Sequence, residues 1–224
     1  MFLMREYQPW DESWSAQLVY LVISYELNVP VEMTADFSYP IFLGAFEKKL
    51  SGEDFWQAVA GSMVYVLGHQ PNHKDRESYV YWLNNYNSNT SKQIIFDGVE
   101  QASKGDLEKA IWLFQAAVLL DSSKAEAHFN LGLAYHQMGI SLDEKNSKQE
   151  AKSCFRQAVQ FLENAVELDK QFSLAYYNLG FVYKQLGLQD ESDKYMEKGI
   201  LLGLERIAQS TSPKTDKDFT AERE

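Results

Sequence analysis

"AEAHFNLGLAYHQMG" (residues 125–139) is answered later in the chain by "SLAYYNLGFVYKQLG" (residues 173–187). Both stretches contain "NLG", a Tyr three residues after that Gly, and a second Gly four residues beyond the Tyr. Small and apolar residues recur in each at helical spacing, which marks one buried face of a helix. A helix written twice in one chain points to a repeat, in which each copy packs on an equivalent neighbour.

A weaker copy precedes them. "SKQIIFDGVEQASKGDLEKAIWLFQAAVLLDSSK" occupies 91–124, and further units follow at 125–172 and 173–207. Each opens with a helix carrying a Gly where the paired helix must come close: Gly98, Gly132 and Gly180. A second Gly follows seven residues later, Gly105, Gly139 and Gly187, and is expected to end that helix in the left-handed conformation that other residues resist. The second helix of each unit answers with small residues at the crossing: Ala110 and Ala117, Ala158 and Ala165, Ser192 and Gly199.

This register resembles the tetratricopeptide repeat family over about half the chain. The resemblance implies an all-α fold, a right-handed α-solenoid of three helix pairs. Departures are confined to details. Gln101 stands where the family has an aromatic and Asp97 where it has Leu, and the helix-stopping Pro is missing from all three units.

The second unit is extended, with its excess after Gly139. Ala151, Phe155, Ala158, Phe161, Leu162, Ala165 and Leu168 predict one long amphipathic helix over about 147–169, roughly 34 Å at 1.5 Å per residue. Its overhanging end, Ala151, Cys154 and Phe155, needs cover, for which the amino-terminal region is the expected source. Cys154 is read there as a buried small apolar residue rather than a nucleophile.

Residues 1–90 form a separate aromatic-rich helical region, with helices expected at 12–27, 39–50, 53–67 and 77–86. "LGAFEKKLSGEDFWQA" (43–58) echoes a repeat unit with one extra residue, so the region also reads as a degenerate repeat. Residues 208–224 are polar, mixed in charge and expected to be a disordered tail.

The net charge of −11 opposes binding to nucleic acid or anionic lipid. No segment has the length and apolar character of a membrane span, and the single Cys excludes an internal disulfide; a cytoplasmic protein is expected. His69, His73 and Asp75 lie close together in "HQPNHKD" but have no further ligand at metal spacing. His128 and His136, eight apart on one helix, do not converge. No phosphate loop, nucleophile elbow or "HExxH" is present, so no catalytic residue, metal or cofactor is assigned.

Function is therefore expected in binding. Family geometry implies a concave face made by the first helices of the units, with Ile95, Phe96, Val99, Phe129, Leu133, Leu174, Tyr177 and Phe181 as apolar contacts. Asn130 and Asn178 match the asparagines with which family members hold a peptide backbone. The clamp that family members use for acidic chaperone tails is not carried over. Ile95 and Leu174 occupy its Lys sites, Val99 replaces an Asn, and Asn178 stands where Arg is usual, leaving a ligand carboxylate unpaired.

The chain thus reads as an interaction scaffold or chaperone-like adaptor for an apolar peptide or helix. The protein's own amino-terminal segment is an alternative occupant of the groove. A self-assembling structural protein, or a helical enzyme within 1–90, are the other readings. "YMEKGILLGLERIAQ" places Met196, Ile200, Leu201, Leu204 and Ile207 at helical spacing, which gives a possible homodimer contact through the last helix.

Overall fold

In the computed structural model, which describes residues 18–22, 29–34 and 37–211, the repeat register becomes pairs of helices. Two short strands, β1 (Leu18–Val22) and β2 (Ser38–Phe42), come first. The helices α1 (Leu43–Glu47), α2 (Gly52–His69), α3 (Arg76–Tyr86), α4 (Thr90–Ser103) and α5 (Leu107–Leu120) follow. They continue with α6 (Ala125–Glu144), α7 (Lys148–Leu168), α8 (Ser173–Gln185) and α9 (Gln189–Thr211). The chain divides into two compact units, Met1–Asn130 and Leu131–Glu224, described in turn. Among the described residues no helix is long and apolar enough to cross a membrane.

In the first unit, Gly105 takes φ +86° to reverse the chain between α4 and α5, and Asp106 caps α5 by accepting from the Lys109 N–H at 3.0 Å. Gly98 lets α4 approach α5: a Cβ there would lie 2.5 Å from Cε1 of Phe114. The segment before residue 90 shares this core. α2 and α3 both pack on α5, and Asn84 Nδ2 donates to the Leu120 carbonyl at 3.1 Å. Gly68 of α2 abuts the backbone carbonyl of Trp112, where any larger residue would collide.

The expectation of helices at 12–27 and 39–50 is corrected. Residues 18–22 and 38–42 instead form an antiparallel pair in the register Leu18↔Phe42, Tyr20↔Pro40, Val22↔Ser38, and only 43–47 is helical in the second stretch. The rest of the first expected helix, 12–17 and 23–27, lies outside the described residues. Packing decides in favour of strands. Tyr39, Ile41 and Phe42 are buried, with Tyr39 edge-on to Trp56 at 5.6 Å and to Phe37 at 4.6 Å. The Phe42 N–H donates to Ser62 Oγ at 3.2 Å, away from β1. Pro40, two residues earlier, faces the same way, so its missing N–H takes nothing from the ladder. The expected helices at 53–67 and 77–86 are present as α2 and α3.

In the second unit, Gly132 of α6 abuts Leu162 of α7, and Gly180 of α8 abuts Met196 and the Ser192 carbonyl of α9. Ala158, Ala165 and Ser192 are fully buried at these crossings. Gly187 reverses the chain at φ +78°. Gly139 does not behave like Gly105 and Gly187: α6 runs through it to Glu144, and the left-handed residue is Asn146, φ 62°. The long insertion therefore lengthens both helices of its pair, α6 as well as α7. Phe155 is covered within its own helix pair. A Cβ on Gly139 would stand 2.5 Å from Cε1 of Phe155, and the His136 ring lies 5.9 Å away, so α6 itself shields the overhang. Phe155 is 3% exposed, Ala151 is buried and Cys154 half-buried, while Leu168 is exposed at the other end. α9 extends past residue 207 to Thr211, and 212–224 lies outside the described residues.

Candidate binding face

The first helices of the pairs bury one stripe and leave another open. On α4, Ser91, Ile94, Ile95 and Gly98 turn inward, at i, i+3, i+4 and i+7. Phe96 is left 65% exposed and Val99 47% exposed. Ile95, expected on the open face, belongs to the buried stripe. Phe129 and Asn130, at the start of α6, are half-buried.

In the second unit Leu133 is half-buried on α6. On α8, Ala175, Tyr176, Leu179 and Val182 are inward, whereas Leu174 and Tyr177 are exposed and Asn178 and Phe181 half-buried. The Tyr177 and Phe181 rings meet edge-on, 5.0 Å apart. Asn178 Nδ2 donates to the Leu174 carbonyl at 2.8 Å, which leaves its Oδ1 and its second Nδ2–H for a ligand.

One position repeats without exception. The residue after the buried Gly is Val99, Leu133 and Phe181 in the three units, apolar each time and buried in none.

The other residues raised by the sequence sit elsewhere. His73 lies between the rings of Tyr20 and Tyr79, at 6.4 and 5.3 Å, and its Nδ1 accepts from the Asp75 N–H at 3.2 Å. His69 stacks on Tyr65 and its Nδ1 donates to the Tyr65 carbonyl at 3.0 Å. His128 Nε2 is 3.1 Å from the Ser122 carbonyl. His136, against Phe155, has a buried Nε2 without a partner, and burial lowers its pKa. For Cys154, burial and the charge of Glu150 raise the thiol pKa, the opposite of what activates a nucleophile. Between α2, α3 and α4 a crevice of about 30 Å³ is lined by Val64, Tyr86, Ile94 and Asp97, and burial raises the Asp97 pKa. That is room for about one water molecule.

Sequence reasoning did not single out three exposed aromatics, Tyr20 on β1, Phe46 on α1 and Tyr81 on α3. None falls in the 91–207 register from which the face was read.

Family models for the TPR repeat match residues 100–139, and for the tetratricopeptide repeat residues 125–161 and 174–202. A search of curated proteins gives no match. Solved structures resemble parts of this chain at low identity. The second TPR of Spaghetti (RPAP3), bound to the HSP90 peptide SRMEEVD, is 22% identical over 50% of this chain and 92% of its own, with a TM-score of 0.42. MamA is 19% identical over 75% of this chain and 98% of its own, with a TM-score of 0.45. The human IFIT1 dimer with PPP-AAAA is 20% identical over 66% of this chain and 35% of its own, with a TM-score of 0.47. Paired helices with close-approach glycines in one register, and family models matching within residues 100–161 and 174–202, show that this part of the chain is built of tetratricopeptide repeats, which imply a protein–protein interaction scaffold.

Proposed function

We propose that the protein is a non-enzymatic, chaperone-like adaptor that binds an apolar peptide or amphipathic helix on the open faces of its first helices. The observation that carries this is the apolar set in repeat register that the packing leaves unburied: Val99, exposed, and Leu133 and Phe181, half-buried, joined by the exposed Phe96, Leu174 and Tyr177. Apolar side chains left unburied at equivalent positions of successive repeats favour a ligand that brings apolar side chains of its own. Asn130 and Asn178 add polar contacts to the ligand backbone, Asn178 through its Oδ1 and its second Nδ2–H. A single half-buried Cys and a net charge of −11 support a cytoplasmic site of action and a protein ligand rather than nucleic acid.

The test begins with a proteome-scale pull-down and continues with affinities for the captured partner. Each Asn contributes about 1 kcal/mol of net hydrogen bonding, so Asn130→Ala/Asn178→Ala should weaken binding roughly 10- to 30-fold while the thermal transition stays in place. Val99→Glu/Phe181→Glu should abolish it. The acidic peptide SRMEEVD should not bind, since Ile95, Val99, Leu174 and Asn178 stand where that recognition needs other residues. Unchanged partner affinity in both double variants would remove these faces from the mechanism.

A further inference from the structure

The two-stranded sheet has one covered edge and one open edge. On the covered side β2 packs on α2, where the Phe42 N–H donates to Ser62 Oγ at 3.2 Å. With Phe42 turned away from β1, the pair Leu18↔Phe42 exchanges no hydrogen bonds, and by the alternation of an antiparallel ladder neither do Tyr20↔Pro40 and Val22↔Ser38. Val19↔Ile41 and Leu21↔Tyr39 carry the ladder. The backbone N–H and C=O groups of Leu18, Tyr20 and Val22 therefore point out of the sheet, along the open edge of β1. Among the described residues nothing bonds to them.

Donors and acceptors that alternate at strand spacing are matched by extended backbone, so the edge selects a strand as its occupant. β1 also has none of the features that block strand addition. It contains no charged residue and no Pro, and its one-to-one register with β2 has no bulge. Tyr20 is 46% exposed and Val22 67% exposed.

We propose that this edge pairs with the same edge of a second copy of the chain, antiparallel about a twofold axis at Tyr20, to make one continuous sheet from the strands of both copies. The strand itself selects the second copy. Tyr20 is the middle residue of Leu18–Val22, so a pairing centred there engages all the outward residues, and Leu18, Tyr20 and Val22 each donate once and accept once. "LVYLV" is nearly symmetric about Tyr20. Leu18 meets Val22 of the second copy and Val19 meets its Leu21, which sets aliphatic against aliphatic on both faces of the sheet. Because the strand is uncharged, a chain of net charge −11 pairs along it without setting like charges opposite one another. With β2 already against α2, the sheet takes no further strand and assembly closes at two chains.

Sedimentation equilibrium of the full chain across about 1 μM to 1 mM tests this, the range in which a short strand contact titrates. The mass should rise from 25.8 kDa to twice that value. Val22→Pro removes an outward N–H and leaves the ladder to β2 in place, since Leu21 and not Val22 bonds across it. It should move the midpoint ~10- to 100-fold higher with the far-ultraviolet circular dichroism unchanged. Tyr20→Cys in a Cys154→Ser background should give disulfide-linked pairs under mild oxidation, because residues facing each other in a hydrogen-bonded pair stand about 5.5 Å apart at Cα, within a disulfide's span. Leu18→Cys in the same background should stay unlinked, since its counterpart in the second copy lies four residues along the strand, about 13 Å away. A mass of one chain throughout would overturn the proposal. So would a dimer indifferent to Val22→Pro, or one in which Tyr20→Cys stays unlinked or Leu18→Cys links as readily.

Discussion

Gly199→Ala and Gly203→Ala form a matched pair of perturbations, four residues apart on α9. Each gains about 1 kcal/mol of helix propensity, since Gly is the poorer helix former by that amount. They differ in what the new methyl group meets. At Gly203 it meets nothing within 4 Å, so the gain stands. At Gly199 it lies 2.6 Å from the Tyr177 amide nitrogen, 2.9 Å from Tyr177 Cα and 2.9 Å from the Ser173 carbonyl oxygen. All three are backbone atoms of α8, which no side-chain rotation can move aside, so α8 and α9 must separate. Separation loosens Ala175, Tyr176, Leu179 and Ser192, all buried along the same seam. A gap of 0.5 to 1 Å forfeits roughly a quarter to a half of each dispersion contact. Overpacking costs about 1 to 3 kcal/mol, and contact with backbone belongs at the upper end. Net of propensity, Gly199→Ala should destabilise by about 2 kcal/mol and Gly203→Ala stabilise by about 1 kcal/mol. In a chain of this size that is roughly 4 to 8 °C down and 2 to 4 °C up in Tm. Thermal unfolding followed by circular dichroism reads the shifts, with hydrogen exchange in α8 locating them. Equal stabilisation by the two substitutions would refute the close approach of α8 and α9 at Gly199.

Phe155→Ala should cost about 3 to 5 kcal/mol, because a ring 3% exposed leaves a cavity between α6 and α7; hydrogen exchange should accelerate over 136–155, and unchanged exchange there would contradict the packing. His136 predicts an acid-side loss of stability. Burial lowers its pKa below the ordinary 6.5, so its share of stability is present above pH 6.5 and is lost as pH falls toward the depressed value. His136→Leu should flatten the fall in urea midpoint between about pH 7 and 5 relative to the parent chain, and parallel profiles would exclude His136 as the cause.

The repeats were legible because backbone contact leaves a local mark. Gly98, Gly132 and Gly180 each sit where a Cβ would strike the paired helix, and no other residue fits without displacement. That constraint writes the same residue at the same register three times. Gly105 and Gly187 were legible for a different reason, a positive φ, and Gly139 exposes the ambiguity between the two. A Gly at that spacing can end a helix or admit a neighbour, and the sequence around Gly139 does not say which. The choice was made by Phe155, sixteen residues away, whose ring needs the space. With the helix continuing, the insertion had to be shared between α6 and α7 rather than placed in α7 alone.

Nonlocal packing also decided the amino-terminal strands. "LVYLV" is an apolar run too short to distinguish strand from helix by its period. Its pairing depends on β2, whose Pro40 reads as a breaker of regular structure until the Phe42 N–H is seen bonding to Ser62 on α2. Only then is the side of β2 that Pro40 faces fixed, and with it the side on which a missing donor does no harm.

On the binding face the same logic explains both success and error. One register position, Val99, Leu133 and Phe181, follows from the buried Gly beside it, because a step of about 100° turns the next residue away from the crossing that the Gly makes. Ile95 is three residues before that Gly, and so is Tyr177; the first is buried and the second 37% exposed. Register alone cannot separate them, since that position lies at the edge of the packed stripe. On α4 it is drawn inward beside Ile94, whereas on α8 the Tyr177 ring turns out to meet Phe181. The width of a buried stripe is set by the neighbouring helix, and a pattern read along a single helix carries no information about it.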